Sequence, residues 1–344
     1  MRIRCSVVRI GIAISNVAAT SVTHTTIHLA HAALLRGHSV RFFEPWDFEV
    51  DVGGRLRGRA HLLDGPAPSR EALVARLAAR DTVRRSVEVD RLDVFLLRAN
   101  PLDPALLSFA LLVEAAGVPV LNPPAAILRT ANKVWLATLA DVPRPRTLVT
   151  RSFASLERFA AESVAGVVVK PARGCGGRGV SFVRPRQPRE LVRALEVACA
   201  AGSRTRGSAS EGYAVVQDWL PEADDGEKRL LWLDGTVVGG YLRQRAPGEL
   251  RHNLKVGGQP HPTDLEPDDV TLAARLTPHL QSAGIWLAGI DVIGGRAVEV
   301  NTLNPGGAHY SGHFSGRDLG AELVTTLERR VLARAEQPVG PSRP

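Results

Sequence analysis

The chain has 344 residues, 44% of them hydrophobic, with a formal charge of +8. That length excludes a single small module and is enough for two or three compact domains. The arginines are scattered rather than gathered into a basic block with interleaved aromatics, so the charge points to small anions and away from nucleic acid. No run of about 18 apolar residues exists, and Arg9 breaks the apolar N-terminal stretch, which has no small-residue cleavage pattern; neither a membrane span nor an export signal is expected, and the location predicted is cytoplasmic.

In chain order, the first 120 residues alternate apolar β-branched runs with helical stretches, the pattern of a parallel sheet covered by helices. Strands are predicted over Val7 to Ile14, Ser39 to Phe43, Asp93 to Arg98 and Val118 to Leu121. A helix starts near Thr25 and stops at Gly37, which is free to take the left-handed cap conformation. A second starts at Pro104 and runs to about Ala116. Asn122-Pro123-Pro124 then interrupts the pattern, because proline has no amide donor and restrains its predecessor, and marks the domain junction. Residues 202–212 read as a mobile surface loop and the last residues as a frayed tail. Cys5, Cys175 and Cys199 are odd in number and without a CxxC, which argues against a disulfide framework or a zinc site.

Lysine is scarce: Lys133, Lys170, Lys228 and Lys255 stand against 39 arginines. An ammonium is a compact point charge that suits a phosphate where a planar fork does not fit, so these four are expected to mark a phosphate site. Lys170 ends the strand VVVK and leads into a loop containing Gly174, Gly176, Gly177 and Gly179, after which a second strand, Val180 to Val183, begins. Such glycines let backbone amides approach an anion closely. The spacing is not GxxxxGK[ST] and no helix follows, which disfavours a Walker-type or dinucleotide site. A flap over phosphates is the reading that fits. Cys175, with no nearby His in sequence to activate it, is a small loop residue rather than a nucleophile.

Two further clusters stand out. Gly289-Ile-Asp291-Val-Ile and Ala297-Val-Glu299-Val-Asn301 flank a Gly294-Gly295 turn. The period of two in such a hairpin puts Glu299 and Asn301 on one face with Asp291 beside them, three hard oxygen donors of the kind magnesium takes. Between the Gly-rich loop and this hairpin lie the apolar strand ending in Gln217, Asp218, Trp219 and Leu220, then Glu227, Arg229, Arg243, Arg251 and Asn253. Cations at strand ends beside a metal site neutralise a polyphosphate.

From about Arg9 to Arg334 these residues resemble the bacterial glutathione synthetases of the ATP-grasp superfamily. The segments that carry the resemblance are LNPPAAILRTANK, VVVKPARGCGGRGV, VVQDWLPEADDGEKRLLWLDG, RQRAPGELRHNLKVGG and GIDVIGGRAVEVN. The resemblance implies an α/β (α+β) ATP-grasp fold. Its parts would be an N-terminal parallel-sheet substrate domain over residues 1–122, an ATP-grasp domain over 123–335 with a lid at about 146–212, and a disordered tail over 336–344. It further implies ATP with magnesium or manganese. Lys133, Lys170 and the loop glycines would hold phosphates, residues Gln217 to Leu220 would lie against adenine, and Glu227 near the ribose. Arg229 would join the nucleotide site, Arg243, Arg251 and Asn253 would face the transferred phosphate and acyl group, and Asp291, Glu299 and Asn301 would hold the metal. Lys133 departs from the family's Asn-Glu-Lys by one residue.

The implied chemistry is ADP-forming amide-bond formation through an acyl phosphate. Where the family has Asp before a Ser or Thr pair, this chain has His24 before Thr25 and Thr26. The family's Arg-Lys-Asp-Pro reads Arg98-Ala99-Asn100-Pro101, and its Ser-Pro-Thr reads Asn304-Pro305-Gly306. These departures fall where the amino-acid substrates belong, so a different amino acid, short peptide or carrier-protein-bound acyl group is expected, in a homo-oligomer. Glutathione synthesis itself and a non-catalytic ATP-binding role are the alternatives.

Overall fold

The structure, a computed structural model, describes residues 7–63, 65–80, 82–174, 177–201 and 212–335. Cys175, Gly176, residues 202–211 and the tail expected at 336–344 lie outside the described residues. Within them the chain forms two units, one of residues 7–125, 284–287 and 303–335, the other of 126–283 and 288–302. The C-terminal stretch from 303 therefore belongs with the N-terminal unit, whereas the sequence reading continued the ATP-grasp domain to 335. None of the described helices is long and apolar enough to cross a membrane.

The first unit is built on a seven-stranded sheet of β1 (Arg9–Ala13), β2 (Ser39–Phe43), β3 (Phe48–Val50), β4 (Leu56–Leu63), β5 (Val83–Glu88), β6 (Val94–Leu97) and β7 (Val120–Leu121). Parallel pairing of β2, β1, β6 and β7 forms the expected core. Helix Thr25–Leu35 ends at the left-handed Gly37, and helix Pro104–Ala115 starts under an Asp103 cap on the Ala105 amide. The sheet is mixed rather than purely parallel, because β3, β4 and β5 extend it antiparallel. Alternation did not reveal them: β5 reads VRRSVE and is exposed along its first four residues, so no apolar face marks it.

The second unit has two sheets. In the first, β8 (Thr147–Thr150), β9 (Val167–Pro171), β10 (Ser181–Val183) and β11 (Ala214–Asp218) run in the order β10-β9-β11-β8. Val167, Val169, Ala214 and Val216 turn one face of this sheet onto Leu156, Leu191 and Leu195 of its helices. Each such Val or Leu, once buried, contributes about 1.5–3 kcal/mol. The alternate residues, Val168, Lys170 and Gln217, are thereby left for the opposite face. In the other sheet β12 (Glu227–Leu233), β13 (Thr236–Gln244), β14 (Gln259–His261), β15 (Leu287–Ile293) and β16 (Arg296–Asn301) take the order β14-β13-β12-β15-β16.

Candidate active site

Those alternate faces enclose a cavity of about 190 Å³ within the second unit. Period two delivers its walls: Val168 and Lys170 from β9, Gln217 from β11, Glu227 and Arg229 from β12, Asp291 and Ile293 from β15, Glu299 and Asn301 from β16. Lys228, one residue out of phase, points elsewhere and pairs with Asp269 at 2.8 Å and Glu266 at 2.9 Å. Lys255 is exposed. Of the four lysines expected to mark phosphates, the cavity receives Lys133 and Lys170.

Its floor is a closely paired set of charges. Antiparallel register sets Glu227 opposite Arg243 and Asp291 opposite Glu299. Arg243 pairs with the Glu227 carboxylate and reaches Asp291 at 2.6 Å, while Arg229 donates to both Asp291 oxygens at 2.5 and 3.0 Å. A side chain at position 289 would collide with this fork, since a Cβ there falls 3.0 Å from Arg229 Nη1; Gly289 keeps the space open. Burial opposes ionisation of Asp291, yet Arg229 and Arg243 outweigh it and hold its carboxyl below the usual range. Burial likewise works against the Arg229 charge, and Asp291 more than compensates, raising it. Glu227 shares its guanidinium with Asp291, so burial prevails there and lifts its carboxyl. Glu227, which the resemblance implies lies near a ribose, lines the cavity and takes part in this charge set. Burial lowers the Lys170 ammonium, with Glu299 opposing, and Lys170 Nζ donates to the Val298 carbonyl at 3.3 Å.

Asp291 and Glu299 stand directly across from each other, and Asn301 Nδ2 donates to Asp291 Oδ2 at 3.2 Å. Turning that amide over would present a third oxygen. A divalent cation fits this hard donor set. Among the described residues, the buried Nε of Arg243 has no hydrogen-bond partner, a donor left for an anion.

Two cations grip the glycine-rich loop by its carbonyls: Lys133 Nζ donates to Gly174 at 3.0 Å and Arg251 Nη1 to Gly177 at 3.2 Å. Arg251 is itself forked onto Glu249, at 2.9 and 2.6 Å, and hydrogen bonds from Arg251 hold the Glu249 carboxyl down at about 2. Gly174 and Gly177 line the cavity and Gly179 does not appear in its wall. Asn253 lines it too, although its side-chain oxygen accepts from the Lys255 amide. Trp219 and Leu220 border it, with Trp219 packed on Phe182 at 4.7 Å between ring centres. Asp218 also borders it, but Arg146 and Ser163 hold its carboxylate, so it fixes the strand end. Arg173, Arg178, Phe182, Val298 and His252 were missed in sequence; of these the two arginines flank the recognised glycines and offered a signal.

Within the first unit, the remaining expected residues form one assembly. Arg98 is 7% exposed; its Nε donates to Thr26 Oγ1 at 3.1 Å and its Nη2 to the Pro305 carbonyl at 3.0 Å. The Ala308 amide donates to Thr25 Oγ1 at 3.2 Å. His24 occupies the N-cap position of its helix without a side-chain cap bond, and its Nδ1 accepts from the Ser21 amide. Asn304 and Gly306 flank Pro305 and are half-buried.

Comparison with known proteins agrees with this architecture. A family model for the prokaryotic glutathione synthetase ATP-grasp domain matches residues 132–311, and one for that family's N-terminal domain matches 8–128. The glutathione synthetase of Synechococcus elongatus is 31% identical over 331 residues, covering 94% of this chain and 99% of the relative. That of Agrobacterium fabrum is 32% identical over 247 residues, 71% and 74% of the two chains. Among solved structures, the D-cycloserine synthetase DcsG shares the fold with a TM-score of 0.67 at 16% identity, over 94% of this chain and 99% of that one. The family uses ATP and a divalent metal. The chain belongs to the prokaryotic glutathione synthetase family of ATP-grasp proteins and is an ADP-forming carbon–nitrogen ligase.

Proposed function

We propose that this ligase uses ATP to join a carboxylate to an amine, through an acyl phosphate, on an amino-acid or peptide pair other than γ-glutamylcysteine and glycine. The observation that carries the substrate part is the hydrogen-bonded assembly of the first unit. Its three contributing segments, around Thr25, Arg98 and Pro305, each carry exchanges from the family pattern, at His24, Ala99 and Asn100, and Asn304 and Gly306. Exchanges grouped around one connected assembly alter what it recognises together.

A carboxylate is a poor electrophile until one oxygen becomes a good leaving group. Transfer of the ATP γ-phosphoryl group onto it supplies that leaving group, the amine then attacks the carbonyl, and phosphate departs. Lys133 and Lys170 would meet the ATP phosphates, with the Trp219–Leu220 edge against the base. Arg243, with its unpartnered Nε, and Arg251 with Asn253 would stabilise charge on the transferring phosphoryl group and on the tetrahedral oxyanion. Asp291, Glu299 and Asn301 would hold the divalent cation, which when bound screens the phosphate charge. The hydrogen bond from Arg251 to the Gly177 carbonyl would help keep water from the mixed anhydride.

Glutathione synthesis is the second reading, and the names of the relatives favour it. ADP release measured across a panel of carboxylates and amines, followed by intact-mass identification of the product, separates the two. A product formed from another pair supports the proposal; turnover confined to γ-glutamylcysteine plus glycine overturns it.

A further inference from the structure

The first unit contains a second cavity, of about 480 Å³, that the ligase reading leaves unused. His28, 5% exposed, lies in its wall. The imidazole Nε2 is 3.0 Å from the Val22 carbonyl, which only accepts, so Nε2 carries the proton. Arg70 Nη1 lies 2.6 Å from Nδ1 and 3.3 Å from Nε2, over the ring, where its positive charge opposes a second proton on the imidazole. His28 is therefore neutral, and burial together with Arg70 lowers its pKa to about 4.

A neutral partner thus aims the Arg70 guanidinium. Among the described residues no carboxylate forms an ion pair with it; the two acids in the same wall, Glu71 and Asp318, interact with the cluster through space and accept backbone amides. Asp318 accepts from the Ala321 amide at 3.1 Å, and Glu71 is held by Ser69 and its own backbone amide at a helix start. Arg317 is forked onto Glu322. Opposite stand His309, whose Nδ1 is 3.3 Å from His28 Nε2, and His313, one helical turn on, with parallel rings 6.5 Å apart. A metal ion would meet the charge of Arg70 head on.

We propose that this cavity binds a small carboxylate-bearing molecule, with Arg70 as the fork for its carboxylate and the imidazoles of His309 and His313 as further donors. The planar pair of N–H groups of Arg70 matches the two oxygens of a carboxylate, and no side-chain carboxylate occupies that fork among the described residues. This inference goes beyond the ligase reading and does not require the substrate pair proposed above.

The test uses the full chain labelled with 15N-histidine and titrated with acetate, glycine and inorganic phosphate, the signals being assigned by single His→Gln variants. Saturable shifts of His28 and His309 with acetate or glycine are expected. Arg70→Gln should weaken them by about tenfold or more, the worth of one charge-assisted hydrogen bond, with Arg70→Lys in between. No saturable shift in the native chain, equal binding by Arg70→Gln, or tighter binding of phosphate than of acetate overturns the proposal. Should Arg70→Gln fail to fold, Arg70→Lys alone serves, with weakening of several-fold expected from loss of the planar fork and unchanged binding overturning the proposal. Steady-state kinetics then separate the sources. A raised KM for one carboxylate substrate at constant kcat identifies the bound molecule as a reactant; unchanged KM with lost acetate binding identifies an effector.

Discussion

In the cavity of the second unit Arg243 is 5% exposed and faces two carboxylates, Glu227 and Asp291. In the first unit Arg98 is 7% exposed and, among the described residues, faces a hydroxyl and a carbonyl. Charge burial in the cavity is compensated before any ligand arrives, and Asp291 raises the Arg229 guanidinium above its ordinary range. For Arg98 burial acts alone and pulls the guanidinium down to about 9. The difference teaches where specificity can change. A balanced lattice resists substitution because Asp291 and Arg243 at its centre each serve two partners, whereas the Arg98 assembly depends on neutral acceptors that other polar side chains can replace.

The harshest way to break this comparison is Asp291→Ala. It strands Arg229 and Arg243 on Glu227 alone, and losing one partner of a buried pair costs about 3–5 kcal/mol. Urea melts should record that loss together with abolished ADP release. Glu299→Gln is the control for function without collapse, because that side chain is 28% exposed and pairs loosely with Lys133 at 3.6 Å. Turnover should fall about 100-fold with the melt unchanged. A fully active Glu299→Gln enzyme would falsify the metal assignment.

Next in size is Gly177→Ala. The residue has φ of 71°, and an added Cβ would meet Arg251 Cδ at 2.6 Å, so the substitution strains the loop and pushes Arg251 off its carbonyl. A fall of about tenfold to 100-fold in kcat/KM is expected, since small misplacements of a positioning group have effects of that order. Glu249→Gln, which loosens Arg251 from the other side, should move kcat in the same direction. Unaltered kinetics in both would show that the Arg251 contact is incidental.

Arg98→Met is milder. Removing a buried charge that has no carboxylate offsets part of the cost of leaving Thr26 and the Pro305 carbonyl without a donor, so stability should change by less than about 2 kcal/mol. KM for one amino-acid or peptide substrate should rise while the affinity for ATP stays constant. A loss as large as that of Asp291→Ala would show that the two regions are not energetically different after all.

Much of the cavity was legible because alternation along single strands sets it. Val167 and Val169 face the helices, which leaves Lys170 opposite them, and Glu299 and Asn301 share a face for the same reason. The same rule separates Lys228 from Arg229, a signal present in the sequence and outweighed by the scarcity of lysine. What stayed hidden was set by tertiary approach. Arg243 and Glu227 meet through hairpin register across 16 positions, and His28 meets His309 across 281. The strand β5 had no apolar face to announce it.

The smallest effect expected concerns pH and the first unit. His28 has its folded pKa near 4 against about 6.5 unfolded. Between those values the unfolded chain binds more protons at this site than the folded one, so stability rises with pH there. The contribution is fully present above about pH 6.5 and is lost as pH falls toward 4. Allowing for partial solvation of the ring, it amounts to about 1–2 kcal/mol. His61, His252 and His309 are lowered too and add slopes of the same sign, so the reading is the difference between chains. The His28→Gln side chain keeps a polar donor and acceptor at this position but does not titrate. Denaturant melts at pH 7 and pH 4.5 should therefore lie closer together in the variant than in the native chain. Parallel shifts in both would mean that His28 carries its second proton in the folded state, beside Arg70.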